Sequence, residues 1–143
     1  MLFLHLPTFL LHITALYAPN DDAERRDFFT AVEERVLEHI PSDNTNNLPV
    51  LHLLMGDMNC IDSPAIDKVG GRQDTGTAGS LELLSLSSSL DCTDVFRYHF
   101  PNTISTTWRQ GTIGTRIDRV FLSSTLAASS SFSTISPTLS DHD

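Results

Sequence analysis

The sequence has few of the residues that build zinc sites and disulfide frameworks. It contains only two cysteines, Cys60 and Cys92, in 143 residues. Neither belongs to a CxxC pair or lies beside clustered histidines, which excludes the usual zinc-binding patterns. A disulfide framework is also excluded, and we expect both side chains to be reduced, partly buried thiols.

Basic residues are scarce as well. The chain has 9 Lys and Arg against 18 Asp and Glu, and its formal net charge is -9 at pH 7. Such a chain repels a polyanion at long range, so contact with nucleic acid needs a local basic patch or bound divalent cations. Composition alone therefore argues mildly against DNA binding.

The apolar N-terminus lacks the marks of a signal peptide and of a membrane span. The first positive charge is Arg25, so a basic leading region is missing. The apolar run ends at Leu16 and is too short to cross a bilayer comfortably. The sequence has no Asn-x-Ser/Thr site for glycosylation. We expect a buried strand here, no membrane association and no secretion, with a small secreted protein as the alternative.

The length allows one modest core, so we expect one domain or part of a larger one. Residues 9–16 form a short apolar run, which indicates a strand buried on both faces. Residues 21–40 begin with acidic capping residues and predict a helix that ends at Pro41. Its apolar stripe consists of Phe28, Val32, Val36 and Ile40. Residues 50–55 predict a second strand, and strand, helix, strand make a crossover unit, in which ligands gather where the strands end.

The rest of the chain gives weaker patterns. Residues 62–77 are glycine-containing and predict a long loop, and residues 81–90 predict a helix. Residues 103–108 and 116–123 predict two strands of a hairpin with a glycine-containing turn between them. The serine-rich stretch 123–136 is expected to be a loop with a weak strand.

Two polar residues follow the second apolar strand. In extended geometry Asp57 and Asn59 would point the same way and present a carboxylate and an amide to one site. That pair suits the orientation of a water molecule or a phosphate. The alternative is a helix cap or an Asx-turn after the strand.

Asp118 shares its predicted strand face with two apolar residues. A carboxylate on such a face is costly unless it has a partner. His142 is a candidate partner, because a carboxylate fixes the tautomer of a histidine and stabilises its charged form. The alternative is a surface salt bridge from Asp118 to Arg116 or Arg119.

Five short motifs stand out along the chain. They are Tyr17-Ala18-Pro19-Asn20, Gly56-Asp57-Met58-Asn59, Thr107-Trp108, Arg116-Ile117-Asp118 and Ser140-Asp141-His142. In order and approximate spacing they resemble the endonuclease/exonuclease/phosphatase family. The sequence is most similar to the apurinic-endonuclease-like domain of non-LTR (LINE-like) retrotransposons, a likeness carried by residues 17–36, 62–71 and 114–124. The resemblance extends over residues 9–143, whereas residues 1–8 resemble nothing in the family and are expected to be an unrelated lead-in.

The resemblance implies an α/β (α+β) fold, a two-sheet β-sandwich flanked by helices as in DNase I-like proteins. A complete domain of this family begins with a strand that carries an Asn and a strand that ends in a Glu, the principal metal ligand. It also adds a core strand after its Ser-Asp-His motif. None of these has a counterpart here, so we expect a partial sandwich that lacks the N-terminal strands and the last C-terminal strand. Strand edges and apolar surface left uncovered in this way are expected to promote self-association.

The resemblance also implies a function, metal-dependent hydrolysis of phosphodiester bonds, with DNA nicking by an endonuclease as the ancestral activity. Asp57 and Asn59 would orient the attacking water and the scissile phosphate. Asp118 would hold His142, which would contact the phosphate or help to activate the water. The residues expected to support the phosphate and Asp57 are Tyr17 and Asn20.

The implied cofactor is Mg²⁺, or Mn²⁺, with Asp141 as a ligand that binds it weakly in the absence of the Glu. Trp108 would flank the side that binds DNA, with aromatic stacking in the core as the alternative. Two other functions stay open, a non-catalytic retrotransposon remnant and a phosphatase or phosphodiesterase of small phosphate esters. The family resemblance implies a nuclear or cytoplasmic location.

Overall fold

A computed structural model describes residues 1–40, 48–131 and 142, which form a mixed α/β fold with two sheets and helices. The predicted fold class is confirmed. The strands are β1 Leu2–His5, β2 Leu10–Tyr17, β3 Val50–Asp57, β4 Lys68–Val69, β5 Cys92–Asp94, β6 Trp108–Gln110, β7 Ile113–Thr115 and β8 Asp118–Ser123. The helices are α1 Asp22–His39, α2 Pro64–Asp67, α3 Ser80–Ser89, α4 Val95–His99 and α5 Ser124–Ala127. Among the described residues, no helix is both long enough and apolar enough to cross a membrane.

The larger sheet has five strands in the order β1-β2-β3-β8-β5. Strands β2 and β3 are parallel and are joined through α1, so the predicted crossover unit is confirmed. Helix α1 begins after Asp21, whose carboxylate accepts hydrogen bonds from the backbone N–H groups of Ala23 and Glu24. Residues 2–5 pair antiparallel with β2 as an edge strand. The boundary at residue 8 between lead-in and domain stays a prediction.

The core lies where α1 and α3 contact the five-stranded sheet. Phe29 of α1 and Leu86 of α3 are fully buried with Leu54 of β3 and with Phe121 of β8. Of the predicted apolar stripe of α1, Val36 is fully buried, and Phe28 and Val32 are partly buried against the core. Phe29, which was not predicted, is also fully buried. Burial of these aromatic and branched side chains supplies the main driving force for folding.

The opposite face of the larger sheet is less covered. Leu2 and Leu4 of β1 are 61% and 46% exposed, and Met55 of β3 is 39% exposed. Leu11 and Leu53 on the neighbouring strands are only partly buried. A sheet face with this many accessible apolar side chains is unusual for a monomeric protein.

The predicted hairpin between residues 103–108 and 116–123 is wrong. Strand β6 instead pairs with β7 through a turn at Gly111, in a three-stranded sheet of order β4-β7-β6. Strand β8 belongs to the other sheet, between β3 and β5. The chain changes sheets at Arg116, whose backbone N–H donates to the carbonyl of Asp67 and whose buried guanidinium pairs with the carboxylate of Asp67.

Other local differences follow from polar side chains that find partners inside the fold. Residues 64–69 form α2 and β4 instead of a loop, where the Nζ of the buried Lys68 donates to the carbonyl of Arg72 and to Thr75. Strand β5 and helices α4 and α5 were not predicted. The predicted helix 81–90 is confirmed as α3. A loop with a weak strand was predicted for residues 123–136, but residues 124–127 form α5. Residues 132–136 lie outside the described residues.

Both cysteines are free thiols, as predicted. Cys60 is fully buried, and this burial raises its pKa to about 12. Cys92 is partly buried, which raises its pKa to about 11. Neither thiol is therefore ionised near neutral pH, and neither is suited to nucleophilic chemistry.

A pair of histidines lies inside the larger sheet. His12 of β2 and His52 of β3 face each other in register, with their Nδ1 atoms 3.3 Å apart. His12 is fully buried, and the ring of Phe3 from β1 stacks on it with 4.4 Å between the centroids. Loss of solvation, followed by repulsion from His52, lowers the pKa of His12 from 6.5 to about 4. Burial also lowers the pKa of His52.

This pair predicts that acid destabilises the fold. Below pH 6.5 the unfolded chain takes up a proton on His12 that the folded chain does not take up until pH is near 4. The free energy of unfolding should therefore fall by roughly 3 kcal/mol as the pH is lowered from 7 to 4. In urea denaturation at several pH values, His12→Phe should lose most of this dependence, whereas the exposed His5→Gln should retain it. Equal pH dependence in both variants would contradict the assignment.

Candidate active-site cleft

Three neighbouring strands bring predicted site residues to one edge of the larger sheet. Tyr17 ends β2, Asp57 ends β3, and Asp118 begins β8. The strand register pairs Tyr17 with Asp57 and pairs Asp57 with Asp118. The carboxyl ends of the parallel strands β2 and β3, where ligands are expected to bind, therefore lie next to the amino end of the antiparallel strand β8.

Gly56 allows β2 and β3 to approach closely just before Asp57. Its φ is +142°, and a Cβ at this position would lie only 1.9 Å from the backbone oxygen of Leu16. Any side chain at this position would force the two strands apart. The close approach of β2 and β3 thus explains why the Gly56-Asp57-Met58-Asn59 motif begins with glycine.

The chain turns after Asp57 instead of staying extended. Asn59 has a left-handed backbone, with φ at 48°, and its N–H donates to Asp57 Oδ1 over 2.9 Å. The expected extended geometry is wrong, and the alternative Asx-turn is present. The turn still serves the site, because the Asn59 side-chain amide donates to the carbonyl of Ala18 at 2.7 Å and joins the loops that follow β2 and β3.

Asp118 and His142 are in direct contact. The Nδ1 of His142 lies 2.8 Å from Asp118 Oδ2, and both side chains are about one-third exposed. Because a carboxylate only accepts, the Nδ1 atom carries the proton in this contact. The backbone of His142 also forms an isolated β-bridge with Trp108. Although far from Asp118 along the chain, the imidazole is thus held beside it by its ring and by its backbone.

The alternative salt bridge from Asp118 to Arg116 or Arg119 is wrong, because both arginines are buried in a separate ionic network. Arg116 Nε lies 2.7 Å from the carboxylate of Asp67, and Arg116 Nη2 lies 2.9 Å from the carboxylate of Asp94. Arg119 also pairs with Asp94, at 2.9 Å. Burial would raise the pKa of Asp94, but the charges of Arg119 and Arg116 hold it below its usual value. Buried charges paired in this way are costly to separate.

A cleft of about 410 Å³ opens beside Asp57. The predicted site residues that line it are Tyr17, Asn20, Asp57, Asn59, Trp108 and His142. Tyr17 is 73% exposed, so its ring is accessible to a ligand. Trp108 is partly buried and lines the cleft, and it is not part of the core cluster. The predicted metal ligand Asp141 lies outside the described residues.

The electrostatics of the cleft favour a cation. Partial burial raises the pKa of Asp57, the hydrogen bond from Asn59 opposes this shift, and the charge of Asp118 adds to it. One ligand atom from each of Asp57, Asp118 and His142 lies within 4.8 Å of the other two. Carboxylate oxygens are the ligands that Mg²⁺ prefers, and Mn²⁺ also accepts imidazole nitrogen. The described residues therefore fit a small divalent cation.

Arg25 holds together two loops beside the cleft, and this role was not predicted from the sequence. Its side chain is 3% exposed, and it donates to the backbone carbonyls of Pro19, Asn20 and Ala78 at 3.1, 2.9 and 2.8 Å. It therefore ties the loop after β2 to the loop before α3. An arginine in the first turn of an acidic helix gives no sequence signal for this role, because its acceptors are main-chain atoms.

Comparison with known proteins gives a family and a fold. Residues 13–142 match the model of the Endonuclease/Exonuclease/phosphatase family. A search of curated proteins found no match.

Three solved structures, one from Leishmania and two from Neisseria, are similar to this chain. An AP endonuclease (LMAP) from Leishmania major has a TM-score of 0.68 and 18% identity, with 88% of this chain and 46% of that chain covered. A 3'-5' exonuclease (NExo) from Neisseria meningitidis has a TM-score of 0.61 and 20% identity, with 84% and 50% covered. A 3' phosphatase NExo from Neisseria, bound to product DNA hairpin, has a TM-score of 0.61 and 19% identity, with 88% and 52% covered. The chain thus spans about half the length of the structures that it matches.

The hydrogen bonds from Arg25 to the carbonyls of Pro19, Asn20 and Ala78, here called the Arg25 clamp, lead to a prediction about stability. Arg25→Met should lower the free energy of unfolding by about 2–4 kcal/mol, because it leaves carbonyl acceptors without their donor. The neighbouring Arg26 is exposed, so Arg26→Met removes the same charge without the clamp and should change stability by less than about 0.5 kcal/mol. Thermal and urea denaturation measure both. Similar losses in the two variants would show that charge, and not the clamp, matters.

Proposed function

Because the chain belongs to the endonuclease/exonuclease/phosphatase family, we propose that its cleft hydrolyses phosphodiester bonds of DNA with the help of a divalent cation. The observation that carries this proposal is the 2.8 Å contact between Asp118 and His142, with an acidic group of Asp57 in the same cluster. Hydrolysis of a phosphodiester needs a positioned water, a proton carrier and positive charge near the phosphate. The cluster can supply the first two directly and can recruit the third.

Asp57 orients the attacking water in this proposal. Its carboxylate receives one hydrogen bond from the backbone of Asn59, which fixes the direction of the group. Asn59, whose side chain anchors the loop after β2 through Ala18, lies beside the scissile phosphate. A rigid acceptor of this kind lowers the entropic cost of placing the water.

Asp118 and His142 form the proton-handling pair. Asp118 accepts the Nδ1 proton, which orients the imidazole and stabilises its charged form. The other ring nitrogen, Nε2, then contacts the phosphate or exchanges a proton with the water. Tyr17, Asn20 and Trp108 also line the cleft. In this proposal Tyr17 and Asn20 support the phosphate and Asp57, and Trp108 flanks the DNA.

A Mg²⁺ or Mn²⁺ ion would be held by the carboxylates of Asp57 and Asp118, with Asp141 as a further predicted ligand. When bound, the ion would neutralise charge that develops on the phosphate. It would also offset the repulsion between an acidic cleft and a polyanionic substrate, which matters for a chain with a net charge of -9.

Two further observations support DNA as the substrate class and a mobile element as the origin. The similar solved structures are described as an AP endonuclease, a 3'-5' exonuclease and a 3' phosphatase bound to a DNA hairpin. Residues 17–36, 62–71 and 114–124 resemble the endonuclease domain of non-LTR retrotransposons, and we propose a mobile element as the origin on this resemblance of sequence alone. We therefore infer that the chain derives from a domain that nicks DNA.

The proposal predicts that the purified protein nicks supercoiled plasmid DNA and that the cleft residues are needed for this activity. Asp57→Asn and His142→Gln should each lower the rate by about 100-fold or more, because each removes a group that acts in the transition state. Asp27→Asn and His39→Gln make the same chemical changes at exposed positions of α1 and should nick at the unaltered rate.

The possible outcomes separate the competing functions. Absence of turnover in the unaltered protein would favour the non-catalytic remnant. Release of phosphate from small esters without nicking would favour the phosphatase. Nicking that survives in Asp57→Asn and His142→Gln would refute the assigned cleft.

Dependence on a cation is a separate prediction. Treatment with EDTA should abolish nicking, and Mg²⁺ or Mn²⁺ should restore it, because the acidic cleft needs a positive charge near the phosphate. Isothermal titration of Mn²⁺ should detect binding that weakens at least about tenfold in Asp57→Asn. Undiminished nicking in EDTA would exclude this part of the proposal.

A further inference from the structure

Thr107 holds the start of β8 through a single oxygen. Its Oγ1 accepts hydrogen bonds from two consecutive backbone N–H groups, those of Ile117 at 3.1 Å and Asp118 at 2.9 Å. The backbone N–H of Thr107 donates to the carbonyl of Thr115 at 2.9 Å. Thr107 thus contacts the chain on both sides of Arg116, the point where it passes from the smaller sheet to the larger one.

We propose that Thr107 is a positioning residue for the Asp118–His142 pair. Thr107 does not line the cleft, so it acts on the reaction through the residues whose backbone it holds, and Asp118 is the one of these that contacts His142. By fixing the backbone N–H of Asp118, it sets the direction from which the carboxylate meets His142. The inference rests on the proposed hydrolysis for its catalytic consequence, but the geometric effect can be measured without turnover.

The chain crossing explains why a side-chain acceptor is needed here. A strand that changes sheets leaves one ladder before it enters the next, and backbone N–H groups at the change need other acceptors. The hydroxyl of Thr107 supplies one for two adjacent donors. A valine at this position would keep the β-branched shape but leave both donors without this acceptor, which would allow the start of β8 to shift. A shift of about 1 Å in a catalytic group can lower a rate about 100-fold.

The neighbouring residue offers a matched control. Thr106 packs against Gly114, where an added Cβ would lie 2.9 Å from Thr106 Cγ2. Its hydroxyl is buried and has no hydrogen-bond partner among the described residues. Thr106→Val therefore makes the same chemical change one residue away without removing a contact to β8.

The test compares Thr107→Val, Thr107→Ser and Thr106→Val with the unaltered protein. Thr107→Val should lower kcat for plasmid nicking by about 10- to 100-fold with little change in KM. Thr107→Ser keeps the acceptor and should restore kcat to within about threefold of the unaltered protein. Thr106→Val should behave like the unaltered protein. If Thr107→Val keeps its full kcat, the positioning role is wrong.

A second readout does not depend on activity. In NMR spectra, the proton between His142 Nδ1 and Asp118 should give a slowly exchanging signal, and the amides of Ile117 and Asp118 should be protected from hydrogen exchange. These features should weaken in Thr107→Val and persist in Thr107→Ser and Thr106→Val. If they persist in Thr107→Val, the proposal is overturned whether or not the protein has activity.

The two readouts separate failure of the proposed function from failure of this inference. If the unaltered protein turns over no substrate while Thr107→Val alone loses the NMR features, hydrolysis is refuted and the positioning role stands. If Thr107→Val does not fold, the test is the hydrogen exchange of the Ile117 and Asp118 amides in the unaltered protein and in Thr107→Ser. Protected Ile117 and Asp118 amides in both support the role, and exchange at the rate of an unstructured peptide overturns it.

Discussion

The buried ionic network between the two sheets is the constraint on which the rest of the structure depends. Arg116 leaves the smaller sheet and pairs with Asp67, next to β4, and with Asp94, at the end of β5. Arg119 pairs with Asp94 from within β8. Since a buried charge without its partner is strongly destabilising, a placement of β8 that separated Arg116 or Arg119 from Asp94 would be disfavoured. Asp118, two residues from Arg116, is placed beside Asp57 and His142 by the same constraint.

The network also explains why the candidate site can be acidic. Arg116 and Arg119 form ion pairs with the buried carboxylates of Asp67 and Asp94, so these two arginines do not neutralise Asp57 or Asp118. The carboxylates of the cleft are instead countered by a histidine and by hydrogen-bond donors from the backbone. Structural and candidate catalytic charges are thus separated along a single strand, with Arg119 on the buried face of β8 and Asp118 on the opposite face.

Sequence patterns predicted the elements whose stability is local. The crossover unit could be predicted because β2, α1 and β3 are marked by apolar periodicity and by the cap at Asp21. The partnership between Asp118 and His142 could be proposed because a carboxylate on a half-apolar face needs a partner. The hairpin was misassigned because the sheet that β8 joins depends on the ion pair between Arg116 and Asp67, which are 49 positions apart. The direction of Asn59 was misjudged because its turn depends on a left-handed backbone that alternation along a strand does not reveal.

The stacking of Phe3 on His12 gives the edge strand a role in protecting the interior of the sheet. Strand β1, like β5 at the other edge of the larger sheet, has a neighbour on one side only, so it can open locally more easily than the central strands. Each opening removes the ring that covers His12 and lets water reach the imidazole. The stability of the protein in acid therefore depends on how firmly residues 2–5 pair with β2. When these four residues detach, His12 can be protonated, and its charge then destabilises the parallel pair β2 and β3.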